Sequence, residues 1–189
     1  LLPLLGEDEE TAIARAQAAV DGFPALCGAR RLARFAAKLG LEAPREGDLA
    51  LNDDLLAAMQ AGAADFTLAF RRLAALPDGV DLAAEGALRA LFASTEALDL
   101  WLPRWRARLA DQGLAQAARQ ALQRGVNPAF IARNHRVEAA IAAAEDGDLG
   151  PFERLTTVLE RPYVDQPEAE DLMQPAEAHE AVTQTFCGT

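Results

Sequence analysis

A chain of 189 residues with 18 basic and 29 acidic side chains, net charge −11, lacks the basic surface that holds nucleic acid, and an anionic membrane would repel it. Hydrophobic residues make up 51% and aromatics only 6%, with alanine abundant, a composition suited to closely packed helices around one good core or two small ones. No run approaches the ~20 apolar residues of a membrane span, no basic-then-apolar leader opens the sequence, and two cysteines make no disulfide framework, so a reducing, cytoplasmic setting is expected.

The sequence opens on the apolar run Leu1 to Leu5 and not on Met, which suggests a processed or truncated product. Glu7-Asp8-Glu9-Glu10 places acidic charge where a helix start favours it, and Ile13, Ala16 and Val20 are expected to form that helix's apolar face. Gly22 is expected to break this helix and Pro24 to open another, with Leu26, Leu32, Phe35 and Leu39 inward and Gly40 closing it. Residues 42–48 form a polar loop.

Asn52 is predicted to cap a short helix that buries Leu55, Leu56 and Met59 and ends at Gly62. Asp65 suits the cap of the next helix, with Phe66, Phe70 and Leu73 inward and Arg71 and Arg72 outward. Pro77-Asp78-Gly79 marks a turn. A helix over 82–93 carries Leu88, Leu91 and Phe92. A stronger stripe follows, Leu98, Trp101, Leu102, Trp105 and Leu109, in which Pro103 should cause a kink or mark the first turn. The clusters Arg30-Arg31 with Arg34, and Arg104, Arg106 and Arg108, suit solvated faces or contacts to acidic neighbours. Gly113 and Gly125 bracket a short helix with Leu114 and Leu122.

The stretch from Asn127 to Tyr163 organises the rest, as two helices with a tight joint. Asn127 and Pro128 suit the cap and first turn of a helix whose stripe is Phe130, Val137, Ile141 and Ala144. Asp146-Gly147-Asp148 stops it, with Gly147 free to turn left-handed. Pro151 starts the second helix, which buries Phe152, Leu155 and Leu159, and Pro162 ends it. Asn134 and Arg133 fall in or beside the apolar stripe, so each should have a fixed partner, either in a neighbouring loop or in a ligand or another domain. Residues 164–186 are polar and predict an extended tail with one turn of helix. No strand alternation or internal repeat is visible, so the fold class is all-α, an irregular array of about eight helices.

The chemistry of a complete active site is missing. No glycine-rich loop precedes a helix and lysine, His135 and His179 have no partners at metal-ligand spacing, and no serine sits on a nucleophile elbow. Cys187, third from the end, is by local sequence an inert thiol, a local partner of Cys27, or a redox cysteine that reaches elsewhere from the tail.

Several short pieces in order carry a family likeness. They are Lys38-Leu39-Gly40-Leu41, Ala64-Asp65-Phe66-Thr67 with Phe70-Arg71 and Leu73, and Trp101 with the arginines after it. Asn127-Pro128-Ala129-Phe130, Arg133-Asn134-His135, Ala140-Ile141, Arg161-Pro162-Tyr163 and the near-terminal Cys187 complete the set. With these the chain resembles the C-terminal part of the selenoprotein O family, the SelO or YdiU-type pseudokinases, over nearly all its length. The resemblance implies a parent with a kinase-like fold that binds ATP with Mg²⁺ or Mn²⁺ and transfers AMP to Ser, Thr or Tyr hydroxyls of proteins. It also implies that Cys187 stands where the family has selenocysteine or cysteine, which in some members forms a disulfide with the kinase-like part.

On that resemblance, residues 1–163 are a helical domain and 164–189 a tail carrying Cys187. Catalytic residues, ATP and metal belong to a kinase-like region outside this chain, and the chain alone is expected to be inactive and to hold no cofactor. Asp65, Arg71, Arg133 and Asn134 are assigned structural or interdomain roles. The partners are that missing region and the parent's protein substrates, with no nucleic acid or membrane. The alternative is a free-standing helical interaction module. A third possibility is nucleotide binding by this chain itself through Arg133, Asn134 and His135.

Overall fold

The computed structural model describes residues 4–6 and 8–182. Among these, nine α-helices and no strands are present: α1 (Glu9–Lys38), α2 (Asp48–Ala61), α3 (Phe66–Leu73), α4 (Leu82–Arg89), α5 (Glu96–Gln112), α6 (Gln116–Val126), α7 (Asn134–Glu145), α8 (Gly150–Leu159) and the single turn α9 (Glu170–Met173). The all-α class is as the sequence predicts. Cys187, Gly188 and Thr189, like Leu1 and Glu7, lie outside the described residues.

Local signals set most helix starts. Asp8 caps α1 through Thr11 N–H, Asp65 caps α3 through Leu68 N–H, and Asp81 caps α4 through Ala83 and Ala84. Gly147 takes the left-handed conformation that ends the α7 turn, with φ +88°.

Two predicted boundaries near the start of the chain move. Gly22 and Pro24 do not divide α1, which runs unbroken through both. A proline inside a helix costs about 3 kcal/mol, and the alanine-rich residues on either side carry the helix through it. Ile13, Val20 and Leu26 of this helix are exposed, not inward. Asn52 does not cap α2: it lies one turn inside, fully buried, and the helix begins at Asp48. Arg108 bonds the buried Asp48 carboxylate through Nε at 2.8 Å and Nη2 at 3.0 Å, which fixes that earlier start.

The larger core joins the end of α1, α2, α3, α4 and α5 through Leu39, Leu55, Phe70, Leu88, Trp101 and Trp105. The two indoles stack at 5.7 Å. Their N–H groups donate to the carbonyls of Leu51 (2.7 Å) and Leu39 (2.8 Å), so neither is buried unpaired. Pro103 sits between them inside a continuous α5.

A smaller core joins Ala129 and Phe130 to Leu155 and Val158 of α8 and to Ala169 and Leu172. The latter two come from the polar segment, which forms a 3-10 turn at Pro167–Ala169 followed by α9 and so packs back on the hairpin. Phe152 and Ile141 remain exposed, contrary to their predicted burial, because α7 and α8 meet each other on one side only.

Candidate functional site: a buried polar seam between two cores

Between the two cores the chain buries polar side chains. Lys38, in the last turn of α1, donates to Asn127 Oδ1 at 3.1 Å, and the Asn127 amide donates back to the Lys38 carbonyl at 3.0 Å. The ammonium also lies over the rings of Phe66 (5.4 Å) and Phe70 (5.0 Å). Burial lowers its pKa below the ordinary lysine value.

Asn127 is therefore not the N-cap of a helix. It ends α6, is fully buried, and residues 128–133 run as a loop before α7 starts at Asn134. The loop's backbone is satisfied from far away: Ala129 and Phe130 N–H groups both donate to the Pro162 carbonyl, at 2.7 and 3.1 Å.

Arg71 points inward, not outward. Its guanidinium donates to the carbonyls of Asn127 (3.1 Å) and Arg124 (3.4 Å), which close α6, and to Asp165 at 2.5 Å. A cation at a helix C-terminus meets both unpaired carbonyls and the negative end of the dipole. Arg133 forks onto Asp65, with Nη1 at 2.9 Å from Oδ2 and Nη2 at 3.0 Å from Oδ1. Burial pushes the Asp65 carboxyl up, but the Arg133 bonds and charge and the Leu68 N–H outweigh it, leaving its pKa below the ordinary value.

A third arginine completes the seam. Arg119 is fully buried, donating to Asp78 (2.9 Å), Gln123 Oε1 (2.5 Å) and the Leu76 carbonyl (2.5 Å), and it lies 5.5 Å from the Trp105 ring. Gly40 lets it in: φ is +81°, and a Cβ there would stand 2.7 Å from Arg119 Cγ and 2.9 Å from Gln123 Cδ.

These cations are spent internally. Arg45, Arg104 and Arg108, around the start of α2, are likewise matched by Asp111, Asp54 and Asp48. Among the described residues, no group of three His, Cys, Asp or Glu side chains could hold a metal ion. A groove of about 290 Å³ between α7 and α8, lined by Val137, Ile141, Phe152 and Leu155, is apolar. The seam can fix one helical group against another; it offers no nucleophile beside a base.

No protein-family model matches the chain. Similarity to curated proteins is extensive. The chain is 50% identical over 190 residues to the protein nucleotidyltransferase YdiU of Rhodopseudomonas palustris strain BisB5. It is equally identical to the proteins of the same name from a Bradyrhizobium strain and from Alkalilimnicola ehrlichii. In each case all of this chain is matched. This chain belongs to the SelO/YdiU family. It spans 38% of the length of those three relatives.

Within this SelO/YdiU chain the predicted site residues separate. Asp65 and Arg133 meet, and Arg71 joins the same seam through α6. Asn134 does not: it is exposed at the first position of α7, because that helix begins six residues later than a cap at Asn127 would place it. His135 is buried with Nε2 unpartnered among the described residues, while Arg133 is committed to Asp65. Cys187 lies outside the described residues.

Lys38, Arg119 and Gln123 escaped sequence reasoning as a group. One signal was available. The helix over Gln116–Val126 offers few large apolar residues, and Arg119 and Gln123 stand four apart on it, so a packed helix there must turn a polar face inward.

Among the described residues, no helix is long and apolar enough to cross a membrane.

Proposed function

We propose that this chain is the C-terminal helical portion of a protein adenylyltransferase, with residues 1–163 bracing a kinase-like region and 164–189 forming a tail that carries a redox-active Cys187. The carrying observation is identity of about 50% along the entire chain to proteins named protein nucleotidyltransferases, of which it spans 38%. In the whole protein, a Ser, Thr or Tyr hydroxyl of a target protein attacks the α-phosphorus of ATP. The bond to the bridging oxygen breaks and pyrophosphate leaves.

ATP and Mg²⁺ or Mn²⁺ are assigned to the stretch of the relatives that the chain does not span; among the described residues no group of three His, Cys, Asp or Glu side chains could hold a metal ion. The chain's own contribution is rigidity. Arg71, Arg133 and Arg119 aim their guanidinium forks at its own carbonyls, carboxylates and the Gln123 amide, which supports a brace and not a second reacting centre.

The test compares this chain with a polypeptide of the relatives' full length carrying the same sequence. Labelled AMP from ATP should enter protein only with the longer one. Transfer by the 189-residue chain, or none by either, overturns the reading. For Cys187, non-reducing peptide maps of the longer protein should show a disulfide that Cys187→Ser removes; identical maps reject the redox role.

A further inference from the structure

The first turns of α1 stand free of both cores. Helix α1 meets the larger core through Phe35, Ala36 and Leu39 at its far end. Before that, Ile13, Val20, Phe23 and Leu26 are 50, 66, 64 and 57% exposed. Ile13, Ala16, Val20, Phe23 and Cys27 follow one another at alternating steps of three and four residues, the spacing of a helix–helix seam. Arg30 and Arg34 continue the same rows. Their neighbour Arg31 pairs with Asp53, whereas among the described residues no carboxylate pairs with Arg30 or Arg34.

An apolar stripe of this length in water marks a covered surface. Polypeptide length selects the cover. The relatives are longer than this chain, which makes up 38% of them, so most of the family polypeptide is tethered to α1. Tethering gives an effective concentration on the order of millimolar, above what a second copy at micromolar concentration supplies.

We propose that the Ile13–Cys27 seam of α1 packs against an apolar helix face in the stretch of the same polypeptide outside this chain, and that carboxylates at the end of that face meet Arg30 and Arg34. This rests on the reading of the chain as part of a longer transferase.

Cys27 is exposed on the seam and reports on it directly. Its alkylation by iodoacetamide, followed by peptide mass mapping, should be at least ~10-fold slower in the full-length polypeptide than in the 189-residue chain at low concentration, since protection scales with the closed population. Val20→Glu with Phe23→Glu should return the fast rate in the long protein. In the short chain the same pair should leave Tm unchanged, because both side chains are already in solvent. Equal Cys27 rates in the two proteins overturn the proposal. Slowing of the short chain with concentration, together with a dimer mass in light scattering, overturns it in favour of a second copy. Thiol reactivity is read without AMP transfer. Transfer with an unprotected Cys27 rejects only the seam, and a protected Cys27 without transfer rejects only the activity.

Discussion

Arg133 and Asp65, 68 residues apart in sequence, meet through two parallel hydrogen bonds of 2.9 and 3.0 Å while the same carboxylate caps α3. One carboxylate thus ends one helix and anchors the residue before another. Arg133→Ala should destabilise the chain by about 3 kcal/mol, since it strands a largely buried carboxylate. Asp65→Ala should cost at least the ~1 kcal/mol of a lost cap, plus the stranded guanidinium. The double variant should cost clearly less than the sum of the two, which urea denaturation of all four proteins would reveal.

The two asparagines of the central stretch should behave oppositely. Asn127 is fully buried and exchanges two hydrogen bonds with Lys38, so Asn127→Ala should cost about 1–3 kcal/mol. Asn134 is exposed, and Asn134→Ala should stay within about 0.5 kcal/mol of the parent. Thermal melts of the two variants side by side decide this.

Two glycines share a left-handed backbone but not a neighbourhood. Gly147→Ala meets nothing within 4 Å, so it should cost only the conformational strain of about 1–2 kcal/mol. Gly40→Ala adds a Cβ 2.7 Å from the buried Arg119 side chain, and overpacking should add about 1–3 kcal/mol more. Equal denaturation midpoints for the two variants would contradict the close approach at Gly40.

His135 should make stability pH-dependent in mildly acidic solution. Burial, helped by the charges of Arg136 and Arg133 and opposed by Glu180, holds its pKa below the ordinary value near 6.5. Below that value the unfolded chain binds a proton that the folded chain refuses. Stability is therefore full above about pH 6.5, falls as the pH drops toward the folded pKa, and levels off beneath it. His135→Gln should flatten this part of the profile, as measured by urea midpoints between about pH 7 and 5.

Signals that act within a few residues were legible in the sequence. The Asp65 cap, the Gly147 stop and the Trp101–Trp105 stripe all stand where spacing puts them. What stayed hidden depends on partners distant in the chain. Arg71 and Arg72 look alike on α3, and only the carbonyls of Arg124 and Asn127 decide that Arg71 turns inward. Likewise Asn127 has the residue type of an N-cap, and a lysine 89 positions earlier recruits it to end a helix instead. The exposed stripe of α1 misleads for another reason: apolar periodicity shows that a face is to be covered, not by what.

The Pro162 carbonyl, accepting from Ala129 and Phe130, fastens the base of the α7–α8 hairpin to itself. The hairpin and its small core are thereby closed on themselves, and Arg71, through Asp165, and Arg133, through Asp65, tie them to the larger core. Amides of α7 and α8 should then exchange with solvent as one cooperative unit, opening more readily than those of α5. Loss of Arg133 should speed exchange in α7 and α8 more than in α5, because it cuts a tie between the two units.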